Sequence, residues 1–241
     1  RCGMFNIGAE GQLYLGAMTV AILGLYMENI PRLIAIPLLL IVGFLGGMFG
    51  GWLIGVLRTR FQISEVIAAT MLNYVFKLFT SYLASGPFSS GETSVQTVKL
   101  STDLSLTTLI KSTKLTTAIL IALAIVILMT IFLNKTTLGF KLRAVGYNAS
   151  AAGASGINAR RLMLLTMGLC GGLAGLAGTC EVLGSYHRFI EGFSPSYGFT
   201  GIAVAILSGL IMKKTMFSGN PIPFVMELPA YRIPSLQSVL L

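Results

Sequence analysis

The chain alternates long apolar stretches with short polar ones. Gly11–Met27 holds seventeen uncharged residues, Leu33–Leu57 twenty-five and Leu115–Leu133 nineteen. Glu65–Ala84, Leu162–Cys180 and Tyr197–Met212 are similarly apolar, and among these three only Glu65 and Lys77 are charged. About 20 residues rising 1.5 Å each cross the ~30 Å hydrocarbon layer, so these stretches read as membrane spans. The expectation is an all-α, polytopic transmembrane helix bundle of about six spans. Within the second segment, Gly43, Gly46, Gly47, Gly50, Gly51 and Gly55 form overlapping small-xxx-small pairs. The fifth contains GLCGGLAGLAG. Both predict helix faces that approach a neighbour closely. Pro37 predicts a kink, and Ser64 predicts an N-cap ahead of Glu65, whose charge suits the positive end of a helix.

The polar stretches differ in kind. Ser85–Lys114 is Ser/Thr-rich, opens with Gly86-Pro87 and reads as an aqueous loop. Gly139–Ile157, GFKLRAVGYNASAAGASGI, is basic and rich in small residues. Such a segment cannot lie in lipid, where each unpaired backbone group costs several kcal/mol. It belongs at one membrane face, offered to a soluble partner.

Composition agrees with the pattern: 54% of the 241 residues are hydrophobic, only 10% are charged, and mean hydropathy is +0.83. A formal charge of +9 would point to nucleic acid in a soluble protein. Here the basic residues sit between apolar spans, the pattern of topology-setting charge, and no nucleic-acid partner is expected. If the segments alternate and Gly139–Ile157 is cytoplasmic, eleven basic residues fall inside and five outside, with Lys77 in a span. The positive-inside rule favours that orientation.

No catalytic constellation emerges. Cys2, Cys170 and Cys180 lack metal-ligand spacing, and the latter two, on one helix, are about 15 Å apart, too far for a disulfide. His187, between Glu181 and Glu191 in an outer loop, fits hydrogen bonding better than catalysis. There is no GxxxxGK[ST] phosphate loop, so energy from ATP would have to enter through another polypeptide. Gly171–Gly178 lies inside an apolar helix and reads as packing. Lys77 either snorkels to the outer surface or faces a pore, and Asn73 is either an interhelical hydrogen bond or a substrate contact. Asn6, Glu10 and Gln12 cluster at the mouth of the first segment, either as a helix start or as part of a translocation pathway.

Three motifs then carry a resemblance: FNIGAEGQLYLGA, EVIAATMLNY and GFKLRAVGYNASAAGASGIN. They resemble inner-membrane permeases of ATP-binding cassette importers, in the branched-chain amino acid and simple-sugar permease group. The nearest branch is the nucleoside and sugar permeases paired with basic-membrane-protein-like lipoproteins. The likeness covers about residues 1–206, the expected permease domain, and implies further spans ahead of it. It implies a multi-pass protein of the bacterial plasma (inner) membrane, not itself an enzyme, that imports nucleosides or simple sugars by alternating access. Implied partners are a second permease subunit, a cytoplasmic ATPase that binds the ATP, an extracytoplasmic substrate-binding lipoprotein and membrane lipids. No cofactor is expected in this chain. The resemblance assigns ATPase coupling to Gly139, Arg143, Ala144, Val145, Gly146, Asn148, Ala151, Ala152, Gly156 and Ile157. Asn6, Glu10, Gln12 and Asn73 are the candidate pathway contacts. Gly153 and Ser155 depart from the bulkier side chains common in the family. Residues 207–241, with PFVMELPAYRIPS, instead resemble part of the ferrous iron transporter B membrane domain, which marks a candidate chimeric junction near Leu207. A fragment of a GTP-linked ferrous iron transporter is the alternative reading.

Overall fold

A computed structural model gives the fold and describes residues 4–27, 30–101, 104–108 and 116–217, with side chains as far as 208. The proline-rich tail, Lys111, Lys114, Lys213 and Lys214 therefore lie outside the described side chains. The chain divides into two units, Arg1–Phe199 and Thr200–Leu241. All regular structure among the described residues is helical, with only isolated bridges of extended backbone.

In the first unit, α1 (Ala9–Tyr26) is the central helix, and Glu10 and Gln12 in its first turn are as buried as its apolar residues. It is enclosed by α2 (Arg32–Phe61), α3 (Glu65–Ser85) and α7 (Ala159–Glu181). Thirty residues make α2 about 45 Å long, enough to cross the bilayer and continue beyond it. It remains helical through Pro37 and stops at Gln62, whose φ of 58° turns the chain. Among the described residues four helical stretches are long and apolar enough to span a membrane: α2, α3, α4 (Ala118–Lys135), and α7 continued through a π-helical turn, Val182–Tyr186. No residue of α4 is fully buried within this chain; Ala118, Ile121, Phe132 and Leu133 pack against neighbouring core clusters, and most of the remaining surface is left for lipid or another subunit. In the last residues of the first unit α8 (Tyr197–Phe217) begins, and its remaining residues are the described part of the second unit.

The glycine faces meet as expected. A Cβ on Gly47 would lie 2.6 Å from the Gly175 Cα, and one on Gly171 would lie 2.9 Å from the Gly51 Cα. A Cβ on Gly16 of α1 would also meet the Gly175 backbone, so three helices converge there. With lipid tails as apolar as the side chains, this contact is stabilised by close van der Waals packing, which only small residues permit.

Two expectations need correction. Ser64 occupies the cap position of α3, yet its side chain makes no capping bond; Glu65 instead pairs with Arg58 at 2.9 Å. The segment read as an aqueous loop is largely a lid. Leu100, Leu104 and Leu106 are buried in one cluster with Ala84, Leu183, Phe189 and Phe193. Backbone N–H groups of Thr97, Leu100 and Leu106 donate to the carbonyls of Phe189, His187 and Leu183 at 3.0, 2.8 and 2.8 Å. Arg32 donates to the Ser105 carbonyl at 2.6 Å. At the other end of the bundle lie the Arg58–Glu65 pair and Arg160, which donates to the Thr59 carbonyl at 2.9 Å.

Candidate translocation site and coupling surface

The α1 helix begins with an unusual entry. Its cap residue is Gly8, which has no side chain to satisfy the exposed first-turn N–H groups. Asn73 of α3 supplies what is missing: its Oδ1 accepts from the Gly11 N–H at 2.9 Å, and its Nδ2 donates to the Ile7 carbonyl at 3.0 Å. Asn6 and Gln12 bond reciprocally, Asn6 Nδ2 to Gln12 Oε1 at 2.8 Å and Gln12 Nε2 to Asn6 Oδ1 at 3.2 Å. Gly8 N–H also donates to Asn6 Oδ1 at 3.1 Å. This entry is thus a closed network of amides.

Glu10 points elsewhere. Its side chain is 1% exposed. Oε1 accepts from Ser194 Oγ at 2.8 Å and faces Lys77 Nζ at 3.4 Å; Oε2 accepts from the Gly198 N–H at 2.8 Å. Gly198 lies in the first turn of α8, so the carboxylate sits at the positive end of a helix. A carboxylate taken out of water needs such donors, because desolvation alone would cost several kcal/mol. Lys77, 38% exposed at its side chain, also lies over the Tyr14 ring, 5.1 Å from its centroid. Counting along α3 from Glu65, Asn73 is about 12 Å and Lys77 about 18 Å deep, near the middle of a ~30 Å hydrocarbon layer.

Beside this pair is a cavity of about 290 Å³ lined by Glu10, Thr70, Asn73, Tyr74, Lys77, Ser196 and Phe199. Of the four residues taken from the sequence as pathway contacts, Glu10 and Asn73 line the cavity, whereas Asn6 and Gln12 bond to each other. Thr70 and Tyr74 went unnoticed in the sequence, although Thr70, Asn73, Tyr74 and Lys77 share the three-and-four spacing of one helix face.

On the basic side, α5 (Thr137–Tyr147) and α6 (Ala149–Ala154) form the segment between α4 and α7. Thr136 caps α5 by accepting from the Gly139 N–H at 3.1 Å. Asn148 caps α6 by accepting from Ser150 and Ala151 N–H at 3.0 and 3.1 Å, and Asn158 caps α7. Leu142, Val145, Ala152 and Leu162 form a small core. Gly139 is buried where a Cβ would meet the carbonyl carbon of Leu133 at 2.7 Å, which explains the glycine at this corner. Arg143, Ala144, Gly146 and Ile157 are half-buried; Asn148, Ala151 and Gly156 are exposed beside Tyr147, itself 89% exposed. Gly156 has a φ of +77°, the left-handed turn that ends α6.

A bundle of long apolar helices with a charged pair inside it and short capped helices on its basic side is the architecture of a multi-pass membrane protein. The chain belongs to the family described as "branched-chain amino acid transport system / permease component", whose model matches residues 1–228. Members are transporter permeases of the inner (plasma) membrane and not themselves enzymes. Similar proteins include the nucleoside ABC transporter permease protein NupB of Lactococcus lactis, 36% identical over 87% of this chain and 60% of the relative. The guanosine ABC transporter permease protein NupP of Bacillus subtilis is 35% identical over 87% of this chain and 61% of its own length. A glucose ABC transporter permease protein of Haloferax volcanii is 29% identical over 100% of this chain and 69% of its own. The chain thus spans about three fifths of the length of the first two relatives. A short C-terminal stretch of 41 residues is 46% identical to the Fe(2+) transporter FeoB of Salmonella typhimurium, covering 5% of that protein. No solved structure matches the chain.

Proposed function

We propose that the chain is the permease subunit of an ATP-binding cassette importer that moves nucleosides or simple sugars inward by alternating access, driven by a separate ATPase. The observation that carries this reading is the mid-depth Glu10–Lys77 pair beside a cavity, since ionisable groups at that depth mark substrate paths by default. The names of the relatives support both substrate classes. In this reading residues 1–206 form the permease domain, a second permease subunit completes the pathway and a lipoprotein receptor delivers substrate. The exposed small residues around Asn148, Ala151 and Gly156, with Lys141 and Arg143, dock the ATPase: small side chains let a short helix lie close in a groove.

Gly146→Trp and Arg143→Glu test it. Each is expected to lower co-purification with the ATPase and nucleoside uptake by about tenfold or more, the scale of disturbing a paired interface charge. Wild-type ATPase yield together with normal uptake in both variants overturns the coupling assignment. The 41-residue match favours a second reading, in which residues 207–241 come from a ferrous iron transporter. Iron-dependent rather than nucleoside-dependent uptake would support it, and one uninterrupted native gene across Leu207 would remove the chimeric junction.

A further inference from the structure

The cavity beside Glu10 has a chemical character that narrows its ligand. Its two charges cancel, but they are not equally engaged. Both Glu10 oxygens are taken by donors within the protein. Lys77 has three ammonium protons, one ion pair at 3.4 Å and a partly exposed side chain on the cavity wall. It therefore presents donors to whatever enters. An anionic ligand would compete with Glu10 for Lys77 while facing the Glu10 charge, and a cation would face the ammonium. The remaining walls carry two aromatic rings, Tyr74, which is 71% exposed, and Phe199. The Thr70 hydroxyl already donates to the Val66 and Ile67 carbonyls at 3.0 Å, which leaves its oxygen as an acceptor. The side-chain amide of Asn73 is committed to Gly11 and Ile7, so it shapes the floor.

We propose that this cavity is a binding site for a neutral, flat-ringed ligand rich in oxygen and nitrogen acceptors, a nucleoside rather than a plain sugar, with Lys77 as the residue that selects it. The inference rests on the permease reading and deepens it. Tyr74 and Phe199 offer faces on which any nucleobase stacks. Lys77 donates to a base carbonyl or ring nitrogen, and Thr70 accepts from an amino or hydroxyl group. Glu10 is a positioning residue, acting by holding Lys77 toward the cavity. At about 290 Å³ the space lies near the lower end of small-molecule pockets, roughly 300–1,000 Å³, fitting one such ligand.

The test uses the full chain in lipid nanodiscs with Cys2, Cys170 and Cys180 replaced by Ser and Thr70→Cys added. Maleimide labelling at position 70 is followed with guanosine or glucose present, and binding of each is measured by equilibrium dialysis on the chain without Thr70→Cys. Guanosine is expected to slow labelling and glucose to leave it unchanged. Lys77→Met should weaken guanosine binding about tenfold or more, as loss of a charged hydrogen bond does. Tyr74→Leu leaves the ion pair intact, so it reports even where Lys77→Met fails to fold, and should weaken binding about tenfold. Guanosine that binds Tyr74→Leu at wild-type affinity and does not protect position 70 places the ligand elsewhere and leaves the permease reading standing. Equal protection by glucose overturns the nucleoside selection. Binding of neither compound overturns the site, whereas the permease reading stands or falls with uptake and ATPase co-purification in Gly146→Trp and Arg143→Glu.

Discussion

Asn73→Leu is the sharpest probe of how the buried entry of α1 is held. Leucine keeps nearly the shape of asparagine and removes both of its hydrogen bonds, orphaning the Gly11 N–H and the Ile7 carbonyl. Interhelical hydrogen bonds in membranes average about 0.6 kcal/mol, so two of them set a floor near 1 kcal/mol. Two buried polar groups left unpaired, at about 1–3 kcal/mol each, set a ceiling near 6 kcal/mol. Asn73 is buried but lines the cavity beside Lys77, so the expected loss lies between these limits, at about 2–4 kcal/mol. Reversible SDS titration of the purified chain, followed by far-UV circular dichroism, measures it. Thr70→Val, one turn earlier, is the control: its hydroxyl bonds only within its own helix, and the change should stay within about 0.5 kcal/mol. If Asn73→Leu unfolds within that same margin, the backbone groups have found other partners and Asn73 does not fix α1.

Other consequences are equally direct. Gly47→Val forces a side chain against the Gly175 backbone and should cost about 1–3 kcal/mol in the same titration, whereas Gly153→Ala, with no atom near the added Cβ, should cost far less. Asn148→Ala frees the Ser150 and Ala151 N–H groups and should weaken α6 by about 1 kcal/mol, read as faster hydrogen exchange at those amides. His187, outside the spans, has its pKa lowered by burial and by Lys99, partly offset by a bond to the Leu183 carbonyl. A lowered pKa disfavours the protonated form in the fold. The lid should therefore keep full stability well above the unfolded-state pKa of about 6.5 and lose it as pH falls through that value toward the folded one. Protease cutting of the 86–108 region should rise over that window. His187→Asn, which tolerates the φ of 54° there, should abolish the dependence.

Much of the fold was legible because lipid constrains sequence strongly. Length and apolarity located the helices, and the glycines of α2 and α7 met because only small residues at i and i+4 permit that approach. The lid was not legible. Leu100, Leu104 and Leu106 are dispersed among Ser and Thr, and their burial depends on Phe189 and Phe193, far along the chain. Lys77 stayed undecided for the same reason: its partner Glu10 lies on another helix, and the donors that fix Glu10 are Ser194 and Gly198.

The division within FNIGAEGQ follows from helix geometry alone. At 3.6 residues per turn, successive side chains are about 100° apart, so Glu10 and Gln12 are separated by about 200° and project from nearly opposite faces of α1. Two such residues cannot both line one cavity while α1 stays helical. The motif was therefore bound to split into a half that closes the helix entry and a half that faces the cavity. Gln12 turns to Asn6, which closes the entry with no charge, and Glu10 turns to Lys77, Ser194 and Gly198, which ties α1, α3 and the start of α8 to one carboxylate. Gln12→Leu should therefore act on stability and leave ligand selection unchanged. Glu10→Gln, which keeps the shape and releases Lys77, should act on selection. Thermal unfolding and guanosine dialysis on the same two preparations separate these effects, and a shared loss of selectivity would show that the two faces are not independent.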